Sequence, residues 1–327
     1  MTDHLVQFST GAGSAEVALR VYEARQPGDR VVLLTADTKV EDEDNWRFAR
    51  EIVALMPEAE WVILADGRTP MQVGRDSRIV PNNRMAVCSR VLKRELLWKH
   101  MEDHYDPLTS VVYLGFDWTE EHRLNKAAPH WDPWTVDAPL MRAPYLTKSE
   151  IIDKHLAFGV EPCRLYAQGF SHANCGGACV RGGQAQWKLL LSVNPERYKE
   201  WEDQEEEIRS YLGKDVAIMR EQRKNVKYPL PLKKFRERIQ QDEQQFDHDD
   251  WGACGCFMDE EEPTSEPAPT PVAISPRKTP PTTMSTCGTK EGYMAHQRRK
   301  QEACAPCKAA WATYYRDYRA GRKQKKP

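Results

Sequence analysis

The sequence lacks any long apolar segment. No apolar run approaches the about 18 residues that a helix needs to cross a membrane. The first residues, MTDHLVQFST, are neither basic nor followed by the apolar stretch of a secretory signal. We therefore expect a cytoplasmic protein with no membrane partner. The chain has 327 residues, of which 40% are hydrophobic, so it can bury a substantial core as one large domain or two modest ones.

Two common phosphate-binding motifs are missing as well, the GxxxxGK[ST] of Walker loops and the GxGxxG of dinucleotide folds. In their place, FSTGAGSA follows the apolar run LVQF. Between a strand and a helix, Gly11 and Gly13 would let the backbone approach an anion closely. Ser9, Thr10 and Ser14 would supply hydroxyl donors. A glycine- and serine-rich turn that binds nothing is an equally good interpretation of this stretch alone.

Short apolar runs alternate with segments of helical spacing along residues 1–258. LVQF, VVLLT, EWVILA and SVVYLGF have strand length, whereas NWRFAREIVALM repeats apolar residues as a helix does. A further helix should begin near Thr147, where TKSE fits a capping box. This alternation predicts an α/β fold, a doubly wound and mainly parallel sheet with helices on both faces.

Charge and composition divide the chain into three parts. Residues 287–327 contain 11 lysines and arginines against 3 acidic residues, a net charge of +8, which leaves −10 for residues 1–286. Residues 259–286 are acidic and then rich in proline and threonine, so they should form a disordered linker. We therefore predict a domain at 1–258, a linker at 259–286 and a basic tail at 287–327.

Nine cysteines in a cytoplasmic chain of this size do not indicate a disulfide framework. Cys175 and Cys179 in NCGGACVRGG, with Cys254 and Cys256 in WGACGCF, could supply four thiolates to a zinc ion or an iron–sulfur cluster. Free buried cysteines are the alternative. His172 is a reserve ligand or a base near a nucleotide, although a purely structural histidine is the more common case.

Several segments together resemble one protein family. FSTGAGSA is similar to the SGGxxS pyrophosphate loop of the HUP-like adenine nucleotide alpha hydrolase-like superfamily, which contains the phosphoadenosine phosphosulfate (PAPS) reductases and the N-type ATP pyrophosphatases. LLTADTKVEDED, CSRVLKRE, YLGFDWTEEHR and, above all, CRLYAQGFSHANCGGACVRGGQAQW fit the same identification. Over roughly residues 4–258, the chain resembles the PAPS reductase-family proteins that actinobacteriophages commonly encode.

This resemblance implies an adenine nucleotide, PAPS or ATP, as the small-molecule partner. Its phosphate or sulfonate end would lie on Ser9, Gly11, Gly13 and Ser14, with Asp37 and Thr38 beside the adenosine or a magnesium ion. Thr10 stands where the family loop usually has its first glycine, and Gly13 stands where the pyrophosphatases usually have an aspartate. For Asp37 and Thr38, the alternative is the N-cap of a helix.

Additional phosphate ligands and a nucleophile are predicted from cations and a cysteine. Arg90 and Lys93, one helical turn apart, could bind a second phosphate, as could Arg123, with solvated surface residues as the alternative. The same two cations would favour the thiolate of Cys88, which could complete the metal site or act as the nucleophile. A reductase of this type would release sulfite to a thiol donor, yet the chain has no ECG-type motif at its C-terminus.

Three functions therefore stay open. The first is a PAPS reductase-like enzyme that acts on the phosphate or sulfate group of an adenine nucleotide. The second is an ATP-pyrophosphatase-like enzyme that adenylates a nucleic-acid base or a small molecule. The third is a nucleotide- and metal-binding protein without catalysis, which the unusual Thr10 and Gly13 favour.

The basic tail contains its own set of metal ligands. Cys287, His296, Cys304 and Cys307 form C-x8-H-x7-C-x2-C, a Cys3His set whose last pair has zinc-knuckle spacing. The segment resembles the CGTxxGYxxHRR…CxxC segments of other actinobacterial and phage proteins. Beyond it, Trp311 and three tyrosines are interleaved with arginines and lysines on a predicted helix. This mixture predicts nucleic-acid binding, with a solvated helix whose aromatics pack on the zinc knuckle as the alternative.

Overall fold

A five-stranded parallel sheet forms the centre of the N-terminal half. In the computed structural model, which describes residues 1–224, 226–252, 287–289, 292–293, 296 and 303–323, the sheet order is β3-β2-β1-β4-β5 and every neighbouring pair is parallel. The strands are β1 (Asp3–Gln7), β2 (Arg30–Asp37), β3 (Glu60–Ala65), β4 (Ser110–Tyr113) and β5 (Thr135–Asp137). The predicted α/β class with a parallel sheet is confirmed, and the four quoted apolar runs contribute β1 to β4.

Helices connect and cover these strands. They are α1 (Ala12–Ala24), α2 (Glu43–Ala54), α3 (Pro70–Asp76), α4 (Val87–Ser89), α5 (Leu96–His104), α6 (Glu121–Ala127), α7 (Lys148–Ala157), α8 (Arg164–Ala167), α9 (Gln184–Val193), α10 (Pro195–Leu212), α11 (Leu232–Gln241) and α12 (Ala305–Lys323). A π-helical turn, Arg90–Glu95, joins α4 to α5. Shorter 3-10 turns are Trp118–Glu120, Ala128–Trp131, Pro139–Met141 and Asn174–Gly177.

Neighbouring strand residues point to opposite faces, so the sheet has a core on each side. Val6 and Leu33 pack with α1, α2 and α7, whereas Leu5 packs with α5. The helix predicted to begin near Thr147 is α7, and the Thr147 capping box is present, with its hydroxyl accepting the Glu150 N–H at 3.3 Å. The sequence pattern therefore located β1 to β4, the helix in NWRFAREIVALM (α2) and the start of α7.

A third cluster, mostly helical, packs beside the sheet. It joins α3, α4 and α8 to α11 with an antiparallel hairpin of β6 (Met219–Arg223) and β7 (Val226–Leu230). The buried Glu205 of α10 accepts the N–H groups of Ile218 at 2.7 Å and Leu232 at 2.6 Å, one on each side of the hairpin. Two orphan amides are thereby satisfied by one carboxylate, which attaches the hairpin to α10.

Some predictions fall on residues outside the described ranges. These are the linker at 259–286 and the second cysteine pair, Cys254 and Cys256. Among the described residues, no helix is both long and apolar enough to span a membrane.

Candidate functional site

A cleft of about 710 Å³ opens at the carboxyl edge of the sheet, beside the ends of β1 and β4. In the strand order, β2 and β3 lie on one side of β1, and the chain then crosses to place β4 on the other side. Parallel sheets bind ligands at such a switch point, because the two connections diverge there and leave a crevice. Ser9, Gly11, Gly13 and Ser14 line this cleft, as does His172.

The glycine-containing loop is held by its own hydroxyls and by one tyrosine. Helix α1 begins at Ala12, directly after Gly11. The Ala12 N–H donates to Tyr166 Oη at 3.1 Å, and a Cβ on Gly11 would lie 3.2 Å from that oxygen. A Cβ on Gly13, in contrast, would meet nothing within 4 Å. Gly13 therefore leaves room at the N-terminus of α1, where backbone N–H groups favour an anion.

Basic side chains outnumber acidic ones around the cleft. Four lysines and arginines line it against two carboxylates, and His122 also lines it. The cations are Arg123, Lys126, Lys148 and Arg181, and the carboxylates are Asp117 and Glu120. Arg123 forms an ion pair with Glu120, and Lys148 donates to the Ser171 carbonyl. The cleft is thus a positive region in a part of the chain whose net charge is negative, which favours an anionic ligand.

The structure separates Arg90 from Lys93 rather than placing them on one face. Both lie in the π-helical turn, where the wider i→i+5 pattern turns residues three apart away from each other. Arg90 is exposed and pairs with Glu95 at 2.7 Å. Lys93 is buried, with its Nζ 3.8 Å from Glu41 Oε1, in a small cavity that Ser9 and Thr10 also line. The predicted joint phosphate site of these two cations does not form.

Asp37 is the last residue of β2 and Thr38 follows it, and neither residue lines the cleft. The Asp37 carboxylate pairs with Lys39 Nζ at 2.6 Å, and the buried Thr38 hydroxyl donates to Glu41 at 3.0 Å. The alternative role as a helix N-cap is wrong, because Asp42 caps α2 through the Asp44 N–H.

The two glycines after Cys175 pack closely against an arginine and a phenylalanine. Cys175, Gly176 and Gly177 have φ angles of 53°, 57° and 84°. A Cβ on Gly176 would lie 2.5 Å from the Arg197 guanidinium, which donates to the Cys175 carbonyl at 2.9 Å. A Cβ on Gly177 would lie 2.8 Å from the Phe170 ring, so side-chain packing accounts for both glycines.

Three thiols, not two, meet behind this turn. Cys88, Cys175 and Cys179 line one buried cavity of about 10 Å³ together with Lys93. A hydrogen bond with the Cys179 thiol, then burial and the Glu41 carboxylate, raise the pKa of Cys175 well above its usual range. The cavity has room for about one water or a single ion. The predicted four-thiolate site also includes Cys254 and Cys256, which lie outside the described residues, so it stays a prediction. Near this region, Gly252 and Gly182 form an isolated antiparallel β-bridge.

The tail residues Cys287, His296, Cys304 and Cys307 lie close enough to hold a metal ion. Their ligand atoms all lie within 4.8 Å of one another, with Cys287 Sγ 3.8 Å from His296 Nε2 and 3.7 Å from Cys304 Sγ. The Gly288 N–H donates to Cys307 Sγ at 3.2 Å, and contacts led by the Cys307 N–H lower the pKa of Cys304 to about 7. Three thiols and an imidazole are a donor set that suits zinc.

Aromatic side chains pack on this Cys/His group. Tyr293 stacks on Trp311 with ring centroids 4.9 Å apart and an interplanar angle of 7°, and Trp311 contacts Tyr314. The Tyr293 hydroxyl also donates to the carboxylate of Asp132 in the N-terminal region. The packing that the sequence offered as an alternative to nucleic-acid stacking is therefore present for Tyr293 and Trp311.

A scan of protein-family models and a search of curated proteins found no match to this chain. Sequence reasoning missed Lys126, Lys148, Arg181 and Tyr166 as cleft residues. No local motif marks them, because tertiary packing alone brings them to the loop.

Proposed function

We propose that the cleft binds an adenine nucleotide and that the protein acts on the phosphate or sulfate group of that nucleotide. The observation that carries this proposal is the open space at Gly13, at the N-terminus of α1, inside a cleft lined mainly by cations. The volume of about 710 Å³ lies within the usual range for small-molecule sites. The resemblance to the PAPS reductase family is what assigns the adenine base.

The residues around the cleft have different roles in this proposal. The amides at the start of α1 and the Ser9 and Ser14 hydroxyls hold the anion, while Lys126 and Lys148 neutralise its charge. Reduction of a sulfonate to sulfite requires two electrons, and among the described residues no cysteine lines the cleft. In such a reduction, one thiolate of a dithiol donor protein would attack the sulfur and break its bond to the phosphate oxygen, so that the nucleotide leaves as the bisphosphate. The second thiol of the donor would then attack the sulfur of the first cysteine, which forms a disulfide and releases sulfite.

Nucleotide-induced thermal stabilisation tests the binding site. PAPS or ATP at 100 times its dissociation constant should stabilise the protein by about 2.7 kcal/mol. Gly13→Val should abolish the shift, because its side chain fills the space that the anion needs. Ala24→Val, on the exposed end of the same helix, is the matched control. An unchanged shift in Gly13→Val contradicts the proposal.

Product analysis distinguishes the three open functions. Sulfite formed from PAPS with a thiol donor indicates the reductase, and pyrophosphate formed from ATP indicates the adenylating enzyme. Binding without either product indicates a protein that only binds nucleotide.

For the tail, we propose a zinc ion held by Cys287, His296, Cys304 and Cys307 and nucleic acid as the partner of the basic helix. The donor set and the mutual distances support the zinc ion. The net charge of +8 supports the nucleic-acid partner. One zinc per chain by native mass spectrometry, and nucleic-acid affinity that falls steeply with salt, are the expected results.

A further inference from the structure

Two large aromatic side chains are exposed beside the cleft. Trp118 is 47% exposed and Tyr145 is 59% exposed, and their ring centroids lie 6.2 Å apart at an interplanar angle of 69°. Trp118 directly follows Asp117, and Tyr145 precedes Lys148 by three residues, and both of these neighbours line the cleft. Neither ring buries its full area in the core, so packing of the core does not explain why two aromatic side chains lie together at this position.

Local caps hold the backbone on both sides of this aromatic pair. The Asp117 carboxylate accepts the Thr119 N–H at 2.8 Å, and Glu120 accepts the Asp117 N–H at 3.3 Å. On the other side, the Thr147 capping box begins α7 two residues after Tyr145. The rings are therefore presented by ordered turns, which lowers the entropy cost of binding a ligand there.

The cleft surface next to the pair is cationic and accessible. Lys126 and Lys148 are both exposed and line the same cleft. Cations that follow a phosphate backbone, together with aromatic faces on which bases stack, are the two elements of single-stranded nucleic-acid sites. In the proposed function, the loop at Gly13 binds one anionic group inside the cleft. Trp118 and Tyr145 are not among the residues that line the cleft, so they are available to a longer ligand.

The tail contacts the N-terminal region close in sequence to one of the cleft lysines. Tyr293, next to the Cys/His group, donates its hydroxyl hydrogen bond to Asp132. Asp132 does not line the cleft, but it follows Lys126, which does, by six residues in the sequence.

We propose, on the basis of the proposed function, that the mouth of the cleft binds a single-stranded polynucleotide. Its bases stack on Trp118 and Tyr145, and its phosphates contact Lys126 and Lys148. The bound strand then lies beside the nucleotide on whose phosphate or sulfate group the protein acts.

Fluorescence anisotropy with labelled 12-nucleotide single-stranded DNA and RNA tests this site in the full chain. Trp118→Ala with Tyr145→Ala should weaken binding about tenfold or more. The conservative Trp118→Phe with Tyr145→Phe should restore most of it. Tyr228→Ala, at an equally exposed tyrosine on β7 away from the cleft, should change nothing. Lys126→Ala should reduce the salt-dependence slope by about 0.7.

Photocrosslinking separates the mouth of the cleft from the tail. Oligonucleotides that carry 5-iodouracil should crosslink to Trp118 or Tyr145, identified by peptide mass spectrometry. Unchanged affinity in the double alanine variant, or crosslinks only within residues 303–327, would overturn the inference. The nucleotide thermal shift depends on Gly13 and not on the aromatic pair, so a failure of the proposed function would be seen separately.

Discussion

Two groups of cysteines in this protein differ in burial, in the arrangement of their sulfur atoms and in the pKa of their thiols. In the N-terminal region, Cys175 and Cys179 are buried and lie beside Cys88 in a cavity about the size of one water. In the tail, Cys287 and Cys304 are half-buried, and their sulfur atoms converge with His296 and Cys307 within 4.8 Å. Convergence of ligand atoms, more than the number of nearby thiols, distinguishes a metal site from a packed core.

The surroundings also set opposite protonation preferences. A hydrogen bond with the Cys179 thiol, and then burial, raise the pKa of Cys175. Hydrogen bonds led by the Cys307 N–H lower the pKa of Cys304 and stabilise its charged form instead. Because the thiolate is the reactive form of cysteine, Cys304 is the more reactive of these two thiols when no metal is bound.

Thiol labelling should show the largest difference between the two groups. In protein freed of metal by a chelator, a disulfide reagent should modify Cys287 and Cys304 rapidly. Cys88, Cys175 and Cys179 should react about a thousandfold more slowly or less, since they become accessible only when the core opens. Peptide mapping identifies each modified cysteine. Equal rates in both groups would show that the core cavity opens readily.

Removal of one tail ligand should have the next largest effect. Cys307 is fully buried and accepts the Gly288 N–H, so Cys307→Ser removes a ligand and weakens the turn around it. We expect the zinc affinity of the full chain to fall about 100-fold or more, measured by competition with a chromophoric chelator. Cys163→Ser is the control, because Cys163 is equally buried but stands outside both groups. Zinc retained by the Cys307 variant would contradict this assignment.

Acid should destabilise the sheet region through His155. This side chain is buried against Phe48, and burial lowers its pKa from 6.5 to about 4. The neutral form is favoured in the folded state, so its contribution is complete above pH 6.5 and is lost as the pH falls towards 4. The loss should reach about 3 kcal/mol, because one pKa unit corresponds to 1.36 kcal/mol.

Denaturant unfolding between pH 7 and pH 4 measures this effect. His155→Leu should flatten the pH dependence of the free energy of unfolding relative to the unchanged chain. His122→Gln, at an exposed position in the cleft, should leave that dependence as it is. Parallel pH curves for the unchanged chain and His155→Leu would assign the acid sensitivity to other groups.

Much of the fold follows from local pattern. The short apolar runs of β1 to β4 and the Thr147 capping box depend on neighbours in the sequence, so they were predictable. The glycine-containing loop was also predictable as part of a cleft, because loops that follow parallel strands lie at the same edge of the sheet. The hairpin of β6 and β7 was missed, since MREQR is mostly polar, VKYPL contains a lysine and a proline, and the hairpin is attached by the distant Glu205.

The missed parts of the candidate site all depend on tertiary packing. Cys88 was offered as a residue that could complete the site of Cys175 and Cys179, but 87 residues separate Cys88 from Cys175, and no spacing rule could establish that both line one cavity. Arg90 and Lys93 were assigned to one helix face because an α-helix was assumed, whereas the π-helical turn directs one outward and buries the other. The chain has many exposed lysines. The positions of α6 and α7 in the fold decide that Lys126 and Lys148 face the cleft.

The smallest expected effect concerns the contact that joins the two compared regions. Tyr293 donates to Asp132 and stacks on Trp311, so Tyr293→Phe removes the hydrogen bond while keeping the stacked ring. A hydrogen bond to a partly exposed carboxylate contributes about 1 kcal/mol, so the tail should detach more often without losing its metal. Hydrogen exchange should then increase in residues 128–137 and at Tyr293, at unchanged zinc content. Trp311→Ala is the informative contrast, because it removes the stacking and leaves the hydroxyl in place. If Tyr293→Phe leaves exchange unchanged while Trp311→Ala increases it, the stacking on Trp311, rather than the hydrogen bond, keeps Tyr293 beside Asp132.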